Sequence, residues 1–81
     1  MSKRKSKIEI GHRTYSEIQR LFPNKKKRDI ARLIGCERKS IEAWRDGCSP
    51  SGIFLARLHY LGADVIWILT GERSGAYGNT L

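Results

Sequence analysis

Residues 27–46 read KRDIARLIGCERKSIEAWRD, and the spacing of small and apolar residues within them predicts two short helices joined by a tight turn. Ala31 is a small residue in the first helix, Gly35 follows four positions later, and Ile41 and Trp44 come six and nine positions after the glycine. Two helices that cross steeply need this order. At Ala31 the second helix must approach closely, and at Gly35 the backbone must turn through positive φ, which glycine adopts without steric cost. Ile30, Ile34, Ile41 and Trp44 are expected to face a core with Cys36 as a small apolar residue of the turn. The rest of the second helix then faces outward, as in a helix-turn-helix that binds DNA.

Charge around this stretch is uneven. Residues 1–28 contain ten Lys and Arg against Glu9 and Glu17, which accounts for the whole net charge of +8, while residues 29–81 carry six of each sign. A local basic excess beside a helix-turn-helix pattern implies a polyanionic partner, because neutralised phosphates release counterions. A basic run alone would read as a solvated tail.

The chain has 81 residues, 40% of them hydrophobic, which suits one small helical domain. No apolar run approaches the roughly 18 residues of a membrane span. The basic start leads into Ile8-Glu9-Ile10-Gly11-His12 rather than the apolar core of a signal peptide, so a cytoplasmic location is expected. Cys36 and Cys48 do not make a disulfide framework in such a chain. Together with His12 and His59 they have none of the paired spacings of structural zinc. No activated nucleophile, carboxylate pair or phosphate loop is visible, so an enzyme is the least expected class. No cofactor, metal or small-molecule ligand is expected.

The predicted organisation is a basic flexible arm (1–12), a DNA-binding domain (13–71) and a flexible tail (72–81). In the arm Lys3, Arg4, Lys5 and Lys7 repel one another and leave it without structure. Thr14 with Glu17 three residues on fits a capping box that would start the first helix. Tyr15, Ile18, Leu21 and Phe22 make its apolar face, and Pro23 ends it. Asn24 can cap a second helix whose first turn is Lys25, Lys26, Lys27 and Arg28. Four cations at the positive end of a helix gain nothing from its dipole, so a bound phosphate explains them better than solubility does. Ile30, Leu33 and Ile34 are expected inward.

The third helix, from about Arg38 to Asp46, carries the specificity. Arg38 and Lys39 stand at its N-terminal end, where either can donate to guanine O6 and N7. Glu42, one turn on, can accept from a cytosine amino group or pair with Arg38. Ala43 is small enough to let the helix enter a groove. Arg45 is placed to meet a phosphate, and Ser49 belongs to the loop after Gly47. Ser49 before Pro50, or alternatively Ser51, caps a fourth helix. Its stripe is Phe54, Leu58 and Leu61, widened by Ile53, Leu55 and Ala56, and Gly62 ends it. Asp64 caps a short fifth helix, Val65 to Leu69. Five consecutive apolar residues exceed what one face can bury, so Val65, Ile66 and Trp67 are expected in a two-fold interface. The alternative is that Trp67 only covers the edge of the core. Tyr77 and Leu81, in the tail, can dock back.

The order of five short helices, the string Ile30-Ala31-Arg32-Leu33-Ile34-Gly35-Cys36-Glu37-Arg38-Lys39-Ser40-Ile41-Glu42-Ala43-Trp44 and the ending Leu61 to Gly71 (LGADVIWILTG) resemble the Cro and lambda-repressor-like family of bacterial and phage regulators. That resemblance covers about residues 14–71 and implies an all-α, usually dimeric domain that controls transcription from palindromic operators. Family base-reading positions fall on Arg38, Lys39, Glu42 and Ala43. Phosphate-contacting positions fall on Lys27 and Arg28, around Arg45, and in the loop after Gly47. Glu37 departs from the small polar cap usual in the family. The resemblance is to a lone Cro-like switch protein or small repressor rather than to a self-cleaving one. A protein-interaction module, such as an antitoxin or inhibitor holding its partner through residues 65–69, is the second expectation, and a non-specific architectural protein a third.

Overall fold

The computed structural model describes residues 2–73, with side chains from Glu9 onward. Those residues form five helices and no strand: α1 (Ser2–Leu21), α2 (Lys27–Ile34), α3 (Arg38–Arg45), α4 (Gly52–Tyr60) and α5 (Val65–Thr70). α1 packs on both α3 and α5, α2 on α3 and α4, and α4 on α5. The protein is therefore an all-helical domain. Its core is Ile18 from α1, Ile30, Ala31 and Ile34 from α2, Ile41 and Trp44 from α3, Leu58 from α4, Ala63, and Ile68 from α5. Burying these side chains contributes about 1.5–3 kcal/mol for each large one. Among the described residues no helix is long and apolar enough to cross a membrane.

α1 departs from its expected start. The segment expected as a flexible arm is helical from Ser2, and Thr14 lies inside the helix. The Thr14 hydroxyl donates to the Ile10 carbonyl at 2.7 Å, so no capping box forms with Glu17. Anchors upstream of Thr14 explain the difference. Gly11 is buried against the α3–α4 link, where a Cβ would run into the backbone of Gly47 and Cys48. Glu9 pairs with Arg13 at 3.3 Å, and Arg13 Nε donates to the Ile68 carbonyl at 2.9 Å. These contacts fix the middle of α1 against both the α3–α4 link and α5, and the cations before them continue the helix rather than ending it.

Glu17 instead joins α1 to α5. Its side chain is 1% exposed. It accepts from Arg20 through both carboxylate oxygens at 2.8 and 3.0 Å, and from the Asp64 backbone N–H at 2.8 Å. Asp64 in turn accepts from the Trp67 N–H at 3.0 Å and so caps α5, as expected from the sequence. Burial raises the Glu17 pKa, but the hydrogen bonds from Arg20 and Asp64 and the charges of Arg20 and Arg73 outweigh it and hold the carboxyl below its ordinary value.

The other helix starts also differ in detail. α2 begins at Lys27 with Lys26 as its cap, so Asn24 and Lys25 lie in the preceding turn. α4 begins at Gly52 with Ser51 rather than Ser49 at the N-cap position, where the Ser51 side chain makes no capping hydrogen bond, and Pro50 is buried. Leu33 is 48% exposed rather than inward, and Ile53 and Ala56 lie outside the buried stripe of α4. In each case the helix buries one narrow face, and the neighbouring apolar position rotates to solvent. The tail residues Tyr77 and Leu81 lie outside the described residues.

Candidate nucleic-acid interface

Two helices and the link between them carry the site. α2 ends at Gly35, whose φ of 83° is in the left-handed region; its N–H and that of Cys36 both return to the Ala31 carbonyl, at 2.8 and 2.9 Å. That closure satisfies the Ala31 carbonyl near the helix end. A further cap comes from outside the pair. Arg57 of α4 reaches across to donate to the carbonyls of Ile34 and Gly35 at 3.1 and 3.2 Å, its guanidinium lying 5.7 Å from the Phe54 ring centroid. Arg57 was not recognisable from the sequence as part of this turn. Burial pushes the Cys36 thiol up, against the opposing effects of its own N–H and Arg57, so Cys36 stays protonated at neutral pH.

The turn delivers α3 with Ile41 and Trp44 buried and Arg38, Lys39 and Arg45 exposed. Glu42 and Ala43 are half-buried at the edge of the outward face. Arg38 Nε stands 3.9 Å from Glu42 Oε2. In so exposed a pair this contact is worth at most about 1 kcal/mol, and it leaves most of the guanidinium fork available to another acceptor. Arg45 pairs with Asp46 at 3.3 Å at the far end of the helix.

Lys26, Lys27 and Arg28 join Arg38 and Glu42 around one open depression of about 660 Å³. The cations at the start of α2 thus face the same hollow as the N-terminal end of α3, where four positive side chains surround a single carboxylate. Lys25 lies apart from that depression, beside Asp29, Arg32 and Leu33. Ser49 is exposed in the link after α3. Lys3, Arg4 and Lys5 belong to the first turns of α1, and their side chains lie outside those described.

A second surface lies on α5. Ile66 and Leu69 are 53% and 46% exposed, while Val65 and Trp67 are half-buried. Of the three residues expected at an interface, Ile66 is the most open, and Leu69 of the same helix is exposed as well. Among the described residues no group of His, Cys, Asp and Glu could hold a metal ion.

Comparison with protein-family models, with curated proteins and with solved structures finds no match for this chain.

Proposed function

We propose that this protein is a sequence-specific double-stranded DNA-binding regulator of the Cro and lambda-repressor-like kind, in which α2 and α3 act as a helix-turn-helix. α3 reads the major groove through Arg38, Lys39, Glu42 and Ala43. The observation that carries this reading is the shared depression of Lys26, Lys27, Arg28 and Arg38 beside a helix whose opposite face, Ile41 and Trp44, is buried. Cations grouped there attract phosphates, while the exposed Arg38 and Lys39 supply donors for base edges. Lys25, Arg45, Ser49 and the basic start of α1 (Lys3, Arg4, Lys5) add phosphate contacts. The protein acts in the cytoplasm as a homodimer on a palindromic operator, pairing through α5 (Val65, Ile66, Trp67), and modulates promoter access as a small repressor.

Selecting bound fragments from random duplex DNA and sequencing them tests this. A recovered palindrome is expected; a pool without any consensus would contradict sequence-specific reading. The exposed Ile66 and Leu69 of α5 favour one other reading, a module that holds a protein partner. A stoichiometric partner recovered by pull-down, with no shift of any genomic DNA fragment, would favour it instead.

A further inference from the structure

Arg73 sits on the same end of the molecule as the proposed pairing surface and covers part of it. Its guanidinium lies 4.3 Å above the Trp67 ring centroid, well within cation–π range. The same group donates to Asp64 Oδ2 at 3.1 Å and to Glu17 Oε2 at 3.5 Å. Both carboxylates belong to side chains that are nearly inaccessible, 6% exposed for Asp64 and 1% for Glu17. Arg73 itself is half exposed. It therefore lies as a lid on the outside of a buried acidic pair, with one face against the indole.

We propose that Arg73 is a latch that keeps Trp67 out of the pairing surface, so that two copies of this chain join fully through α5 only when Arg73 lets go. This rests on the reading of α5 as the self-association face. The occupant follows from charge. Val65–Thr70 contains no charged residue, whereas the chain as a whole carries +8. Two copies meeting at α5 bring together helices without charged residues, with Arg13 and Arg73 only at their edges, while approach through α2 or α3 would set cation against cation. Ile66 and Leu69, neighbours on the helix surface, are already open. Trp67 adds the largest apolar side chain to that patch only if the guanidinium moves aside.

Release has a cost that falls mainly on Asp64. Without Arg73, Glu17 keeps Arg20 and the Asp64 N–H, but Asp64 Oδ2 loses its guanidinium donor. Because the latch is an ion pair with an exposed cation, salt weakens it. The wild-type protein should thus dimerise more readily as salt rises, through uncovering of Trp67.

The test uses the full chain without DNA, by sedimentation equilibrium and by acrylamide quenching of tryptophan fluorescence, between about 50 mM and about 0.5 M NaCl, over which the Debye length falls severalfold. Trp44 is buried and contributes little quenching. Arg73→Ala should roughly double the quenching, lower the dimer dissociation constant about tenfold and leave only the salt dependence that comes from screening the net positive charge of the two copies. Adding Trp67→Ala to that variant should reverse the gain. In the wild type, quenching of the monomer and dimerisation should rise together with salt, a measurement that needs no variant to fold. Unchanged quenching in Arg73→Ala, or dimerisation equal to or weaker than wild type, overturns the latch while leaving α5 pairing intact. If quenching rises but neither protein associates at any concentration, the α5 pairing surface itself is wrong and the latch falls with it.

Discussion

The carboxylate of Glu17 accepts the backbone N–H of Asp64 at 2.8 Å, joining the middle of α1 to the cap of α5 from inside the core. Its pKa is held below the ordinary 4.5, burial being outweighed by Arg20, the Asp64 N–H and the charge of Arg73. Because the folded value is depressed, the stability it contributes is fully present above the unfolded pKa and is lost as pH falls through the folded one. Thermal melts between pH 7 and 3 should show stability falling below about pH 4.5. Glu17→Gln should cost about 1–3 kcal/mol at neutral pH and flatten that acid slope. An unchanged slope in the variant would assign the acid sensitivity elsewhere.

Gly35 and Arg57 should be coupled. A Cβ on Gly35 would be strained at φ +83° and would lie 2.5 Å from Arg57 Nη1. Left-handed backbone costs a non-glycine residue about 1–2 kcal/mol, and the clash would also displace the guanidinium from the two carbonyls it caps. Gly35→Ala is expected to destabilise by about 2–3 kcal/mol, and Arg57→Ala by about 1 kcal/mol. The double variant should lose less than the sum, because without the guanidinium only the backbone strain remains. Strict additivity in denaturant unfolding would contradict this coupling.

Gly11 reverses the usual rule for a glycine inside a helix. An exposed helical Gly→Ala gains about 1 kcal/mol. Here the new methyl would meet the backbone of Gly47 and Cys48, neither of which is a flexible side-chain end. Gly11→Ala should destabilise by about 2 kcal/mol or more, the size of an overpacked core. A gain in melting temperature would mean that α1 does not pack on the α3–α4 link as described.

Gly11 also marks the boundary of what was legible in the sequence. Ile30, Ala31, Ile34, Ile41 and Trp44 were readable because their spacing is local and each helix has one buried face. Asp64 was readable as a cap for the same reason. Thr14 and Glu17 were not, since the pattern Thr-x-x-Glu serves a helix start and a helix interior alike. What decides between them is the packing of Gly11 against residues 47 and 48, far along the chain. The arginine contacts are equally nonlocal: Arg57 bonds Ile34, and Arg73 bonds Glu17 across 56 positions. Leu33 shows the opposite error, an apolar residue counted inward in a helix with only a narrow face to bury. At the candidate site, exposure of Arg38 and Lys39 followed from the burial of Ile41 and Trp44. The meeting of Arg38 with Lys26, Lys27 and Arg28 required the turn geometry as well.

That meeting makes the proposed division of labour on DNA testable residue by residue. Arg38 and Lys39 offer donors to base edges, so Arg38→Ala or Lys39→Ala should cost about 1–3 kcal/mol at the selected site and relax its specificity. Lys26→Ala and Lys27→Ala should weaken selected and random duplexes alike, each lowering the log–log salt slope by about one. Removing residues 1–7 should likewise flatten the slope without altering the consensus. Glu42 separates the two roles it can play. It stands 3.9 Å from Arg38, so if it only steadies the guanidinium, Glu42→Ala changes the preferred sequence little and tightens non-specific binding by removing a negative charge from the depression. If it accepts from a cytosine amino group, the same variant loses discrimination at one base pair. Fluorescence anisotropy titrations on selected, single-mismatch and random duplexes at several salt concentrations measure all of these. Equal losses on every duplex for Arg38→Ala, Lys39→Ala and Lys27→Ala would contradict base reading by α3, because all three side chains would then be acting on phosphates alone.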